Sequence, residues 1–190
     1  MPGKDLIVSK FGKSIEVDYK TLRKIADEAP LERKFTTTYR EATYDIYYEP
    51  MREIGYQQEY GMGRPVEFKQ RGEELIGTRF RVVVESDARE EFKREWILHE
   101  IVELDAGTQN IPWQEAGIRI PHVMALEVEA FYARERGWPY KAQNTDLIGK
   151  GAIYIPTLHS FSPWNEPPGE RCIFCKDNTI IFVSKSNKQL

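Results

Sequence analysis

The stretch WILHEIVEL, from Trp96 to Leu104, carries the most information in the chain. On a helix of about 3.6 residues per turn, its apolar side chains cover one broad side, and its polar side chains fall in one narrow wedge. The polar residues are His99, Glu100 and Glu103. Because the surrounding helix is apolar, we expect it to be buried, and buried charged groups are costly unless they pair or bind a metal.

A second helical stretch, from His122 to Ala133, repeats this arrangement. His122 and Glu129 fall on one side of it, two turns apart, beside small alanine side chains. If the polar sides of the two helices meet, these residues converge with His99 and Glu103, which stand four residues apart on one face. Two imidazoles with Glu103 or Glu129 as a third ligand suit zinc or another divalent transition metal.

The sequence HEIVE at residues 99–103 resembles the metal-binding helix of zincin-like metallopeptidases, in which H-E-x-x-H supplies two ligands and a glutamate activates a metal-bound water. The longer stretch Glu95–Arg136 looks like compact metallopeptidase-like domains of some bacterial toxin and phage proteins. The resemblance implies that His99 is a metal ligand and that Glu100 is the general base. Glu103 stands where the family pattern has its second histidine.

A metal at this site would lower the pKa of a bound water towards about 7, so that Glu100 could take its proton and the hydroxide could attack a carbonyl. Glu95, four residues before His99, could accept a hydrogen bond from the free ring nitrogen of that histidine. The sequence therefore predicts a small metal-dependent hydrolase, peptidase-like, that acts on a peptide or small-molecule substrate.

Three alternatives stay open from the sequence. The polar wedge could be a buried ion-pair network of His99, Glu103, His122 and Arg119. The protein could be a non-catalytic interaction module, whose tyrosine-rich sheet or proline-rich loop binds a partner while the His/Glu cluster is structural. It could also be an enzyme that uses Glu100 as acid or base without a metal.

A second group of scarce residues lies near the C-terminus. The spacing C-x-x-C at Cys172 and Cys175 is half of a structural zinc site, which His159 or a nearby carboxylate could complete. The sequence favours a different interpretation, in which residues 171–175 and 179–183 form a β-hairpin and the cysteines are small, half-buried side chains.

The order of sequence patterns predicts one α+β domain over residues 1–190. A helix and a tyrosine-rich antiparallel sheet occupy residues 1–85, and two central helices at 86–137 pack against that sheet. C-terminal strands and the C-x-x-C hairpin occupy residues 150–187.

Local signals refine this prediction. Asp18 is expected to cap the first helix, which Pro30 ends. Asp87 is expected to cap the next helix, which runs to about Asp105. The run from Gly61 to Pro65 predicts a turn.

Composition excludes several classes of protein. Aromatic residues make up 12% of the chain, too many for a disordered segment. With 27 Lys and Arg against 30 Asp and Glu, the chain lacks the basic balance of a phosphate-dependent nucleic-acid binder. One alternative stays open, a local nucleic-acid-binding surface. It would be formed by aromatic rings within residues 35–84 together with Lys69, Arg71, Arg79 and Arg81.

No stretch approaches the roughly 18 consecutive apolar residues of a membrane-spanning helix, and the apolar N-terminal run is too short for a signal peptide. Two cysteines in a chain of 190 residues do not make a secreted disulfide scaffold. The sequence therefore predicts a cytoplasmic protein.

Overall fold

The computed structural model describes residues 6–51, 61–113 and 119–138, together with the backbone of two short strands at 154–156 and 179–181. The helices are α1 (Tyr19–Glu28), α2 (Glu90–Thr108) and α3 (Ile120–Glu135). The strands are β1 (Leu6–Lys10), β2 (Lys13–Val17), β3 (Phe35–Tyr39), β4 (Ala42–Glu49), β5 (Gly61–Arg71), β6 (Glu74–Glu85), β7 (Tyr154–Pro156) and β8 (Thr179–Ile181). The predicted α+β class is confirmed.

A four-stranded sheet in the order β3-β4-β6-β5 forms the largest β element of the described residues. The pairs β3–β4 and β5–β6 are antiparallel, whereas β4 and β6 run parallel, with Ile46 opposite Val82. The sheet is therefore mixed, where the sequence predicts an antiparallel one. Alternation along a strand indicates which side chains are buried, but the neighbouring strand and its direction depend on long-range packing.

A separate antiparallel hairpin of β1 and β2 precedes α1, and its turn at Phe11 and Gly12 has positive φ angles of 53° and 74°. Its buried side chains join the common core. Lys10 at the end of β1 binds Glu127 of α3, with 2.6 Å between Nζ and Oε1. This contact ties the hairpin to the helix that carries half of the predicted site.

The helix caps differ in how well the sequence predicts them. Asp18 caps α1 as expected, because its Oδ1 accepts a hydrogen bond from the backbone N–H of Thr21 at 3.1 Å. The prediction for Asp87 is wrong: α2 begins at Glu90, and Arg89 precedes it without a side-chain cap. The backbone N–H of Asp87 instead donates to a Glu85 side-chain oxygen at 3.1 Å, so that this segment forms a turn before the helix.

Helix α2 is the centre of the fold. It lies against β5 and β6, while α1 and α3 both pack against it. Every residue from Glu95 to Ala106 is buried, so its polar wedge does not face solvent. None of the helices in the described ranges combines the length and apolarity that a bilayer crossing requires.

At the C-terminal end, β7 and β8 pair antiparallel. The predicted hairpin joins residues 171–175 to 179–183, and the first of these strands lies outside the described residues. The same holds for His159, Cys172 and Cys175, so the second predicted metal site stays a prediction.

Candidate metal centre

The facing sides of α2 and α3 bring together four residues that the sequence analysis singles out. His99 and Glu103 project from α2, and His122 and Glu129 project from α3. Their exposed fractions are 0%, 4%, 5% and 0%. The imidazole rings of the two histidines meet edge to face, with their centroids 4.7 Å apart. A buried cluster of polar side chains therefore lies between the two helices.

Three side-chain atoms of this cluster form a compact triangle, which we call the ligand triangle. Nε2 of His99 lies 3.0 Å from Nδ1 of His122 and 3.1 Å from Oε2 of Glu103. The third side, from Nδ1 of His122 to Oε2 of Glu103, is 2.9 Å. Tetrahedral zinc with bonds of about 2.0 Å separates its ligand atoms by about 3.3 Å. The triangle is therefore close to the spacing that a zinc ion requires.

At least one of the three contacts in the ligand triangle cannot be a hydrogen bond. Burial opposes the charge of Glu103, but hydrogen bonds from His122 and His99 outweigh burial and hold its pKa well below the usual range. Its Oε2 is therefore an acceptor only. If both imidazole nitrogens donate to it, two N–H groups face each other across 3.0 Å. If one nitrogen accepts a hydrogen bond from the other, the accepting nitrogen carries no hydrogen that it could donate to the Glu103 carboxylate. A cation, in contrast, is bound by the lone pairs of all three atoms.

Glu129 lies behind His99 rather than in the triangle. Nδ1 of His99 donates to Oε2 of Glu129 at 2.7 Å, which orients the ring with Nε2 towards His122. A carboxylate on the second nitrogen of a metal-bound imidazole is a recurrent feature of metal sites. Of the two carboxylates that the sequence offers as third ligand, the geometry places Glu103 with the imidazoles and Glu129 in this supporting position.

Glu95 does not occupy the supporting position that the sequence assigns to it. That prediction is wrong, because the ring of His99 turns its Nδ1 towards α3 and Glu129 accepts the hydrogen bond. Neither carboxylate oxygen of Glu95 has a hydrogen-bond partner among the described residues. Burial, together with the charge of Glu129, raises the pKa of Glu95 well above its ordinary value. Burial therefore favours the neutral form of Glu95.

The charge of His99 depends on the carboxylates around it. Burial disfavours the imidazolium, but hydrogen bonds to Glu103 and Glu129 outweigh burial and raise the pKa of His99 to about 10. Burial lowers the pKa of His122, so this ring is neutral at pH 7. A metal ligand must be unprotonated at its ligating nitrogen, so metal binding displaces the Nε2 proton of His99.

Replacing Glu129 by glutamine is expected to weaken zinc binding about 10- to 100-fold, because the carboxylate orients the imidazole of His99 and raises its basicity. Competition with a chromophoric chelator measures this change. Glu127→Gln is the matched control, since Glu127 lies on the same helix but binds Lys10. Equal zinc affinities in the two variants would contradict a supporting role for Glu129.

Strand β5 covers the remaining polar residue of the wedge, Glu100. A Cβ atom at Gly61 would lie 2.8 Å from Oε1 of Glu100, and one at Gly63 would lie 2.6 Å from Cδ1 of Leu104. The predicted turn at these glycines is wrong: they begin β5 and let its backbone approach α2 closely. Burial, together with the charge of Glu103, raises the pKa of Glu100 to about 8.

The two glycines are expected to respond differently to alanine. Gly63→Ala should lower the free energy of unfolding by about 1–3 kcal/mol, because its Cβ overlaps the buried side chain of Leu104. Gly61→Ala should cost less, since its shortest contact, 2.8 Å, is to the terminal oxygen of Glu100 and its other contacts, to Cγ and Cδ of the same side chain, are 3.3 Å and 3.4 Å. Urea unfolding of both variants tests the contrast, and equal losses would contradict the close approach of β5 to Leu104.

A cavity of about 610 Å³ has one residue of the ligand triangle, Glu103, in its wall. The second oxygen of Glu103, Oε1, accepts a hydrogen bond from Nη2 of Arg119 at 2.7 Å. The Arg119 guanidinium lies 5.0 Å from the ring centre of Trp113, which also lines the cavity. The sequence analysis does not identify this cavity, because its walls come from elements far apart in the chain.

The cations of the alternative nucleic-acid surface each lie beside a carboxylate. The pairs are Lys69–Glu41 at 2.8 Å, Arg71–Glu74 at 3.8 Å, Arg79–Asp45 at 2.6 Å and Arg81–Glu49 at 2.8 Å. Their charge is therefore largely balanced within the protein.

No protein-family model, curated protein or solved structure matches the chain. The zincin-like resemblance of residues 99–103 therefore stays a prediction.

Proposed function

We propose that the protein is a small metal-dependent hydrolase, peptidase-like, whose metal ligands are His99, His122 and Glu103. The observation that carries this proposal is the ligand triangle, in which three buried nitrogen and oxygen atoms lie 2.9–3.1 Å apart and not all of the contacts between them can be hydrogen bonds. Zinc is the metal that this donor set fits best, since imidazole and carboxylate ligands are typical of its catalytic sites.

A bound zinc ion supplies two things at such a site: it lowers the pKa of a bound water to about 7, and it polarises a carbonyl group. His99, His122 and Glu103 would hold the ion, and three protein ligands are typical of catalytic rather than structural zinc sites. The proposal therefore needs one further group, a base that accepts the proton of that water.

Glu100 is the base in this proposal. It follows the ligand His99 directly in the sequence, and burial together with the charge of Glu103 raises its pKa to about 8. A general base is most effective when its pKa lies near the working pH. A cation in the ligand triangle would lower the pKa of Glu100, because an opposite charge favours the ionised carboxylate. Glu100 would then be ready to accept a proton at neutral pH.

Arg119 and Glu129 position the ligands. Arg119 binds Oε1 of Glu103, so that Oε2 is the oxygen that turns to the imidazoles. Glu129 holds the ring of His99 from the opposite side. Both contacts support the proposal, because ligands fixed before metal binding lose little conformational entropy when they bind it.

A non-catalytic protein with a structural His/Glu network is the second candidate. The salt bridge between Arg119 and Glu103 favours it, since a buried carboxylate paired with arginine is stable without a metal. The two candidates differ in two measurable properties, because the hydrolase gains stability from zinc and cleaves a substrate, whereas a metal-free His/Glu network does neither.

The test uses the full chain without an affinity tag, in a Cys172→Ser/Cys175→Ser background that removes the C-terminal cysteines. We expect zinc to bind at about one equivalent and to stabilise the fold by about 2.7 kcal/mol when free zinc is 100 times the dissociation constant. Mass spectrometry of a mixed peptide library should show zinc-dependent cleavage that a chelator abolishes. If zinc neither binds nor stabilises this protein, the proposal is wrong.

A further inference from the structure

Exposed apolar side chains converge on the cavity beside Glu103. Phe68, Leu75 and Trp113 are 54%, 70% and 50% exposed, and all three line this one cavity. The buried side chains of Ile76, Phe80, Leu104 and Ile111 continue the wall. Apolar residues that are exposed singly need no explanation, but a contiguous apolar surface rimmed by polar groups marks a binding site.

The cavity is held open by specific contacts. Nη2 of Arg71, at the end of β5, donates to the backbone oxygen of Thr108 at 3.3 Å and to Oδ1 of Asn110 at 3.2 Å. These bonds tie the tip of the β5–β6 hairpin to the end of α2. A shift of strand register between Pro65 and Phe68 brings both side chains to the cavity, although they are three residues apart. The pocket is therefore formed before any ligand binds.

The wall of the cavity also contains polar groups. Glu103 lies in its wall, and Arg119, which binds Glu103, also packs on the Trp113 ring at the rim. A ligand that fits this distribution has a large apolar group and a polar group beside it. The volume of about 610 Å³ is in the range of about 300–1,000 Å³ that small-ligand sites occupy.

We propose that this cavity receives a bulky apolar side chain of a peptide substrate, next to the bond that is hydrolysed. The inference rests on the proposed function, because the ligand triangle, of which Glu103 is the member that lines the cavity, supplies the chemistry. It names the substrate class: peptides with a large aromatic or branched aliphatic residue at the cleaved bond.

The first experiment tests the cavity without a metal. In an NMR titration of the zinc-free full chain, 4-phenylbutan-1-ol should bind, and Leu75→Asp should weaken its binding at least about tenfold, because it places a charge in the apolar wall. Val66→Asp is the matched control, since Val66 is 46% exposed on the same hairpin but does not line the cavity. Equal affinities in the two variants would overturn the inference.

The second experiment tests whether a ligand of the metal can also place an apolar group in the cavity. In the zinc-loaded protein, 4-phenylbutanohydroxamic acid should bind at least about 30-fold more tightly than acetohydroxamic acid, because only the former carries an apolar group into the cavity. The difference should disappear in Leu75→Asp. If both hydroxamates bind equally, the cavity inference is wrong and the metal site still stands. If phenylbutanol binds but neither hydroxamate does, the proposed function fails, and the substrate class falls with it.

Discussion

Replacing Glu100 by glutamine is expected to lower the rate of zinc-dependent peptide hydrolysis about 10²- to 10⁴-fold, the usual contribution of a general base. Glutamine keeps the size of the side chain under β5 but cannot accept a proton. Zinc binding should persist, since Glu100 is not part of the ligand triangle. The expected variant is therefore folded, metal-loaded and nearly inactive.

The pH dependence has a definite sign. Glu100 acts as a base only when it is ionised, so the rate should rise with pH as its proton is lost. Its pKa of about 8 in the metal-free protein falls when a cation binds nearby, which places the acidic limb of the profile below pH 8. In Glu100→Gln this limb should be absent from the residual activity.

Glu90→Gln controls for a change of charge on α2, because Glu90 lies at the exposed start of the same helix. Steady-state rates and zinc stoichiometry are measured on both variants. Full activity in Glu100→Gln would show that Glu100 is not the general base, and the proposed mechanism would then lack a base.

Replacing His122 by alanine is expected to weaken zinc binding more than about 100-fold, since loss of a supporting residue alone costs about 10- to 100-fold. The variant keeps only two of the three ligand atoms, those of His99 and Glu103. Competition with a chelator of known affinity gives the dissociation constant, and thermal unfolding with added zinc should show no stabilisation.

The zinc-free stability of His122→Ala separates ligand loss from misfolding. The second ring nitrogen of His122, Nε2, has no hydrogen-bond partner among the described residues. Its removal also ends the contact between the two imidazole nitrogens at 3.0 Å. The substitution also removes the hydrogen bond to Glu103 and leaves a cavity, so we expect the zinc-free variant to unfold at a lower temperature than the zinc-free wild type but to remain folded at room temperature. Zinc that persists in His122→Ala but is lost in Cys172→Ser would place the metal at the C-terminal cysteines instead.

Local patterns predict the parts of the fold that depend on neighbours in the chain. Asp18 caps α1 because its side chain reaches an N–H three residues ahead, a contact within one turn. The prediction for Asp87 is wrong although its residue pattern is suitable, because α2 begins only at Glu90, and the Asp87 side chain accepts from the Ser86 hydroxyl at 3.3 Å within the turn before it. The residue pattern does not show where the turn ends and the helix begins.

The glycines at 61 and 63 show what sequence reasoning missed. Glycine followed by glycine two residues later suggests a turn, yet the same spacing places both on one face of a strand. That face lies on Glu100 and Leu104, where a Cβ atom has no room. The alternating spacing was the signal that could have identified a strand in close contact with a helix.

The sequence by itself determines that His99 and Glu103 share one face of an apolar helix, and that His122 and Glu129 share one face of the next. Helical periodicity sets these relations, because it acts within a single element. Only the tertiary structure decides that Glu103 joins the two imidazoles while Glu129 stands behind His99, because the packing of α3 on α2 and the side-chain rotamers select the atoms that meet. The cavity that adjoins Glu103 has the same origin, since its walls come from β5, β6 and the end of α2.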